Sequence, residues 1–272
     1  MIEPVVSLDW VRAQRDRVVL ADVRWYLDGR SGRAAYDGGH LPGAVFVDVD
    51  RVLARPGSPA DGRHPLPAPE TFAAGMAALG IGDEDTVIAY DDTGGVIAAR
   101  LVWMLRATGH AAALLDGGLT AYDGELKRAE AERPATVFTP RPWPAERLAD
   151  IDDAANVSFV VLDARARDRF RGDTEPIDPR AGHIPGARSL PCLDNVDATG
   201  RFLPVAELRE RFADVGVTDD AVVISYCGSG VTACHNLIAL EHAGFGVGRL
   251  YPGSWSQYSH DAARPAAVSD RP

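Results

Sequence analysis

The chain of 272 residues contains only three cysteines and no long apolar stretch. Three is an odd number, and Cys192, Cys227 and Cys234 all lie late in the sequence, so they do not form a disulfide framework. There is no Cys-x-x-Cys pair and no histidine cluster, so we expect no metal site. No apolar run reaches about 18 residues, so the sequence predicts no membrane span. The start, Met1-Ile2-Glu3-Pro4, lacks the features of a signal peptide.

Positive charge is also scarce. The chain has 28 lysines and arginines against 39 acidic residues, which gives a formal net charge of -11 and a pI near 5.1. This balance argues against a nucleic acid or an anionic membrane as partner. The hydrophobic fraction of 46% is enough for a sizeable core, and the length indicates one or two domains. The sequence therefore predicts a soluble cytoplasmic protein.

One cysteine lies where a predicted strand turns into a predicted helix. The apolar run Ala221–Ile224 leads to Cys227, and a helical pattern follows that ends before Gly244. Glycines in the loop let backbone amides turn inward, and a helix N-terminus adds partial positive charge. Both effects favour a thiolate, so we predict that Cys227 is a nucleophile. Cys192 and Cys234 are interpreted as buried packing residues.

The order of motifs in the first half of the chain returns in the second half. His183-Ile184-Pro185-Gly186 repeats His40-Leu41-Pro42-Gly43 at a separation of 143 residues. Gly80 and Gly216, and likewise Tyr90 and Tyr226, are separated by 136 residues. The difference corresponds to seven extra residues in the first copy, in the Pro/Gly-rich loop near residues 55–69. This register indicates a tandem duplication of an α/β unit.

Each copy alternates strands with helices, which predicts an α/β fold with a mostly parallel sheet and helices on both faces. We place the first domain at residues 1–126, a charged and Pro-rich linker at 127–147, the second domain at 148–261 and a frayed tail at 262–272. At the separation of 136 residues, Cys227 corresponds to Asp91 and Gly228 to Asp92. Two carboxylates would repel an anionic intermediate, so we expect only the second copy to be catalytic.

These features together resemble the two-domain rhodanese family. The segments that carry the resemblance, besides the loop Cys227–His235, are Trp25-Tyr26, His40–Ala44, Tyr90-Asp91, Leu115–Gly118, Gly182–Gly186 and Gly253–Trp255. The resemblance implies a tandem pair of rhodanese-like domains and a two-step sulfur transfer without metal or organic cofactor. Cys227 would take a sulfane sulfur from a small-molecule donor as a persulfide. It would then pass the sulfur to a thiol acceptor such as thioredoxin, or to cyanide.

The resemblance also implies roles for further residues. The loop residues Gly228, Gly230, Val231 and Thr232 would surround the terminal sulfur with backbone amides. A proposed family triad of serine, histidine and aspartate would assist proton transfer. Its counterparts here are Ser229, His64 and Asp50.

The donor is predicted from charged side chains. Gly228 and Ser229 are uncharged, whereas relatives that prefer thiosulfate carry basic residues in this loop, so 3-mercaptopyruvate is the expected donor. Its carboxylate calls for arginines, and the family counterparts are Arg169 and Arg180. Thiosulfate, with the same Cys227 persulfide, stays open as the alternative donor. The paired histidines His40 and His183, and the paired Asp22 and Asp163, are expected to be structural.

Two other functions were weighed. A phosphatase of this fold would need an arginine six residues after the nucleophile, where this chain has Ala233. A non-enzymatic binding module would be expected to have lost Cys227, as the first copy has. Both are therefore disfavoured.

Overall fold

The computed structural model describes residues 2–269 and divides the chain into two compact units. The first unit contains the residues up to Arg55 together with Pro67–Trp143 and Val196–Phe202. The second contains Pro56–Leu66, Pro144–Asn195 and the residues from Leu203 onward. Two short segments therefore group with the unit other than the one expected from their place in the sequence. None of the helices in the described part combines the length and the hydropathy that a bilayer crossing requires.

The first unit is built on a parallel five-stranded sheet. Its strands are β1 (Val5–Val6), β2 (Val18–Asp22), β3 (Val45–Phe46), β4 (Thr86–Tyr90) and β5 (Ala112–Leu115). Its helices are α1 (Leu8–Ala13), α2 (Gly32–Gly38), α3 (Pro69–Ala78) and α4 (Ala99–Ala107). The strand order is β1-β5-β4-β2-β3. The predicted strands at residues 18–22 and 86–90 are thus neighbours at the centre of this sheet.

The second unit repeats this topology in a parallel four-stranded sheet. Its strands are β6 (Val160–Asp163), β7 (Arg188–Ser189), β8 (Val223–Tyr226) and β9 (Arg249–Leu250). Its helices are α5 (Ile151–Ala154), α6 (Arg167–Arg171), α7 (Val205–Asp214), α8 (Ala233–His242) and α9 (Ser254–Tyr258). The order is β7-β6-β8-β9, and a parallel bridge from Leu148 to Leu250 takes the place that β1 has in the first unit. The repeat read from the sequence is therefore a repeat of the fold.

The helix after the central strand is buried in each unit. All residues of α8 from Ala233 to Leu240 are buried, as are those of α4 from Ala99 to Arg106. A helix that is apolar all round belongs in the core. Because β8 and α8 are both fixed by core packing, the loop that joins them is held at both ends.

The paired histidines and aspartates have matching structural roles. His40 stacks on Tyr36 with ring centroids 3.7 Å apart, and His183 stacks on Phe170 at 3.6 Å. The Arg24 guanidinium binds Asp22 and the Gly39 carbonyl, and Arg165 binds Asp163 and the Gly182 carbonyl in the same way. These buried ion pairs tie the end of a sheet strand to the turn that follows the next helix.

The described part of the tail is anchored, so the prediction of a frayed tail is wrong for residues 262–269. Ala267 forms a two-way antiparallel bridge with His183, with N···O distances of 2.9 and 3.0 Å. The Tyr258 hydroxyl donates to the Pro265 carbonyl. Polar, Ala/Pro-rich composition does not reveal such backbone pairing, and residues 270–272 lie outside the described residues.

Candidate active site

Cys227 follows the last residue of β8 directly, and α8 begins six residues later at Ala233. We call residues 227–232 the Cys227 loop. Cys227 is only 2% exposed, and the Gly230 N–H donates to its Sγ at 3.1 Å. A donor aimed at the sulfur stabilises negative charge there. Gly230 has a φ of 79°, and a Cβ at this position would lie 2.6 Å from the Pro252 carbonyl oxygen, so the loop requires glycine here.

The N-terminal turn of α9 holds the Cys227 loop from the other side. The N–H groups of Trp255 and Ser256 donate to the carbonyls of Cys227 and Gly228 at 3.0 and 2.8 Å. The Cys227 N–H in turn donates to Ser254 Oγ at 3.1 Å. Ser254 has a φ of 52°, which is uncommon for a residue other than glycine. A strained residue that persists at a reactive loop is typical of a functional site.

His64 and Ser229 lie together, although 165 residues separate them in the sequence. His64 Nδ1 is 2.7 Å from Ser229 Oγ. The segment Pro56–Leu66, which carries His64, belongs to the second unit and contacts α9 there: the Arg63 N–H donates to Ser256 Oγ at 3.0 Å. The structure thus brings two of the three predicted triad residues to the Cys227 loop.

The third predicted triad residue, Asp50, belongs to the first unit. It lies in a short π-helical turn, Val49–Leu53, where its Oδ2 accepts a hydrogen bond from Trp25 Nε1 at 3.0 Å. Its participation in the triad stays a prediction.

Arg169 lies beside the Cys227 loop, and so does a second arginine that the sequence did not single out. A Cβ built on Gly228 would be 2.9 Å from Nη2 of Arg63 and 3.6 Å from Nη1 of Arg169. Two guanidinium groups therefore occupy the space that a side chain at position 228 would need. The loop itself is uncharged, as the sequence shows, but positive charge reaches it from outside.

Two buried carboxylates hold these arginines. Asp178 Oδ1 pairs with Arg63 Nη1, while Asp178 Oδ2 is 3.3 Å from Arg169 Nη2. Glu175 accepts from Arg169 Nη2 at 2.7 Å and also pairs with Arg165. The side chains of Asp178 and Glu175 are 1% and 3% exposed. Burial raises the pKa of Asp178, and the two neighbouring arginines oppose this shift.

Arg180, the other predicted arginine, has a structural role instead. Its Nε, Nη1 and Nη2 donate to the backbone carbonyls of Ser259, Arg264, Tyr258 and Asp261 at 2.7–2.8 Å. A guanidinium whose donors are used in this way has little left for a substrate carboxylate. Arg180 therefore fixes the chain after α9, and the structure gives no support for the prediction that it binds substrate.

Asp91 shows what the first unit does at the position of the nucleophile. Its Oδ1 accepts from the N–H groups of Thr93 and Gly95, both at 2.8 Å. Its Oδ2 accepts from those of Ile97 and Ala98 at 2.7 and 2.9 Å. Full burial raises the pKa of Asp91, and the four amide bonds act in the opposite direction. The loop at this place in the fold thus forms a cradle of amides that holds an anion.

The other two cysteines are packed, in agreement with their interpretation from the sequence. Burial raises the pKa of Cys192 to about 12, and the nearby Cys227 adds to the shift. Cys234 is fully buried on α8, where its Sγ donates to the Gly230 carbonyl at 3.4 Å. It thereby contacts the Cys227 loop without facing the reactive sulfur as a nucleophile.

Sequence reasoning missed Arg63, the carboxylates that hold it, and Ser254–Ser256 as supports of the loop. Arg63 directly precedes His64, so the dipeptide itself was a usable signal. The Gly253-Ser254-Trp255 segment had been noted only as part of the resemblance. Its contacts with Cys227 depend on the folding of α9 against β8, which no local pattern reveals.

Comparison with known proteins agrees with this geometry. Residues 7–125 and 144–261 each match the family model described as the rhodanese-like domain. A Pseudomonas aeruginosa protein named "Probable 3-mercaptopyruvate sulfurtransferase" is 42% identical over 95% of each chain. A Mycobacterium tuberculosis protein named "Putative thiosulfate sulfurtransferase SseB" is 40% identical over 92% of this chain and 90% of its own. The names of these two relatives thus point to different donors.

A solved structure is similar over almost the whole chain. The crystal structure of SseA from Escherichia coli, whose description places it among 3-mercaptopyruvate sulfotransferases, is 32% identical with a TM-score of 0.81. The match covers 93% of this chain and 99% of that one. The two-domain architecture is therefore shared from end to end.

Proposed function

The chain belongs to the rhodanese-like family, and from this premise we propose that it is a sulfurtransferase that uses 3-mercaptopyruvate as donor and a Cys227 persulfide as intermediate. The observation that carries the proposal is the buried Cys227 Sγ with the Gly230 N–H directed at it. A thiolate at this place is both activated and shielded from bulk water.

In the first step, the Cys227 thiolate attacks the sulfur of the donor. The donor C–S bond breaks, and its electron pair leaves on the carbon as the enolate of pyruvate. The proton of the donor thiol replaces that bond at carbon, which leaves pyruvate and a Cys227 persulfide anion. In the second step, the thiolate of an acceptor attacks the outer sulfur and releases the Cys227 thiolate.

The amides of the Cys227 loop stabilise the persulfide anion. The corresponding loop of the first unit supports this role, because four N–H groups bind the Asp91 carboxylate there. A carboxylate oxygen is two bonds from Cβ, as is the outer sulfur of a cysteine persulfide. The same loop geometry therefore suits both anions.

His64 and Ser229 handle the proton of the first step. Their hydrogen bond of 2.7 Å lets the imidazole supply a proton through the serine hydroxyl to the leaving enolate. In this proposal Asp50 orients His64 as the third member of the triad.

Thiosulfate is a second candidate donor, and a specific observation favours it. Two guanidinium groups lie beside Gly228, so the site offers positive charge to a dianion even though its loop is uncharged. The name of the Mycobacterium tuberculosis relative agrees with this candidate. Thioredoxin as acceptor and a cytoplasmic location stay predictions.

Steady-state kinetics with both donors and cyanide as acceptor decide between them. We expect kcat/KM for 3-mercaptopyruvate to exceed that for thiosulfate by about tenfold or more, because the carboxylate and the carbonyl can be bound at once. A preference for thiosulfate would overturn the assignment of the donor and leave the Cys227 intermediate in place.

A further inference from the structure

We propose that Arg63 is the second donor-binding arginine, and that it binds the anionic group of the donor together with Arg169. This inference rests on the proposed function, because it concerns the donor that loads Cys227. It assigns to Arg63 the role that the sequence had suggested for Arg180.

The backbone around Arg63 is fixed against the second unit. A Cβ on Gly62 would lie 2.5 Å from the Gly253 carbonyl oxygen, so only glycine permits this close approach. The Gln257 side chain donates to the Ala60 carbonyl at 2.6 Å, and Arg63 N–H donates to Ser256 Oγ. Arg63 is therefore held on the same turn of α9 that supports Cys227.

The guanidinium of Arg63 points to the mouth of the Cys227 loop. Its Nη2 is the atom nearest to the position of a Cβ on Gly228, at 2.9 Å, and Nη1 of Arg169 is next at 3.6 Å. The side chains of Arg63 and Arg169 are 28% and 15% exposed, so a small solute can reach both. The neighbouring His64 also lines the cavity of about 430 Å³ that Arg63 borders.

Arg63 retains donors for a ligand. Asp178 binds its Nη1, whereas its buried Nε has no hydrogen-bond partner among residues 2–269. A buried N–H without a partner is costly unless a ligand or water completes it. Asp178 fixes the orientation of both guanidiniums through its two oxygens, and acts as a positioning residue.

The glycine at position 228 is part of the same arrangement. A side chain there would displace the Arg63 guanidinium, which is the movable end of a flexible residue. Substitution by alanine should therefore leave the fold intact and yet disturb the pair of arginines. This separates an effect on donor binding from an effect on folding.

The test compares Arg63→Gln, Arg63→Lys and Gly228→Ala with the control Arg209→Gln. Arg209 on α7 loses the same charge in the same unit, where it binds Asp219 and the Ala243 carbonyl. KM and kcat are measured for the donor that loads wild-type Cys227. We expect KM to rise about 10- to 100-fold in Arg63→Gln, from the loss of hydrogen bonds to a charged group, with kcat changed far less. Arg63→Lys should recover part of this loss, because it keeps the charge but lacks the fork.

The outcomes separate this inference from the proposed function. If wild type is loaded and Arg63→Gln and Gly228→Ala keep the KM of the Arg209→Gln control, Arg63 does not bind the donor. If Arg63→Gln does not fold, Arg63→Lys and Gly228→Ala give the same decision. If neither 3-mercaptopyruvate nor thiosulfate loads wild-type Cys227, the proposed function itself fails, and this inference fails with it.

Discussion

The substitution Asp91→Asn tests whether the loop in the first unit truly holds an anion. Each oxygen of Asp91 accepts two backbone N–H groups, and all four neighbours are donors. A protonated carboxyl would direct an O–H at one of these donors, so the geometry requires the ionised form. Asparagine has nearly the same shape but replaces one oxygen by an NH₂ group.

The cost follows from the number of bonds. Asparagine keeps one acceptor oxygen, so two of the four N–H groups lose their partner and face another donor. Hydrogen bonds to a charged group contribute about 1.5–3 kcal/mol each, which gives a loss of about 3–6 kcal/mol. Because domains are stable by only about 5–15 kcal/mol, the first unit should unfold at a much lower urea concentration.

The assay is urea unfolding followed by circular dichroism, with Asp92→Asn as the matched control. Asp92 is exposed and accepts from the Tyr26 hydroxyl at 2.6 Å, so its substitution should cost about 1 kcal/mol or less. A loss below about 1 kcal/mol for Asp91→Asn would mean that the carboxyl is held neutral. The first unit would then no longer support an anion cradle around Cys227.

Two further predictions concern the second unit. Ser229→Ala should lower kcat for 3-mercaptopyruvate by about 10²-fold, because it breaks the proton path from His64, and should affect thiosulfate turnover much less, since sulfite leaves without a proton on carbon; equal losses with both donors in steady-state assays would contradict this role. Burial holds the pKa of Cys192 at about 12, so at pH 8 it stays a thiol and should resist iodoacetamide, while Cys227 is alkylated. Peptide mass mapping of the native protein checks this, and rapid native labelling of Cys192 would refute its packed role.

The reactive loop could be predicted because its signals are local. An apolar strand, a cysteine with nearby glycines and a helical pattern follow one another in the sequence around Cys227, and the repeat supplied Asp91 as an internal comparison. The parallel sheets followed from the alternation of strands and helices in the same way. The meeting of Ser229 and His64 came from the resemblance, since no local pattern links residues so far apart.

The arginines could not be assigned from local sequence. Arg180 has its donors used by carbonyls of residues 258–264, which come into place only when the chain after α9 folds back. Arg63 reaches Gly228 because the segment Pro56–Leu66 packs with the second unit, far from its neighbours in sequence. In a chain with 39 acidic residues, an isolated arginine in a Pro/Gly-rich loop resembles an ordinary surface charge.

The central claim is covalent transfer of sulfur through Cys227, and intact-protein mass spectrometry tests it most directly. Wild-type protein treated with donor and no acceptor should gain one sulfur atom, about 32 Da, and should lose it when a thiol acceptor is added. Cys227→Ser should gain nothing, while Cys192→Ser and Cys234→Ser should still gain it. A sulfur adduct that persists in Cys227→Ser, or wild-type turnover without any adduct, would contradict the account.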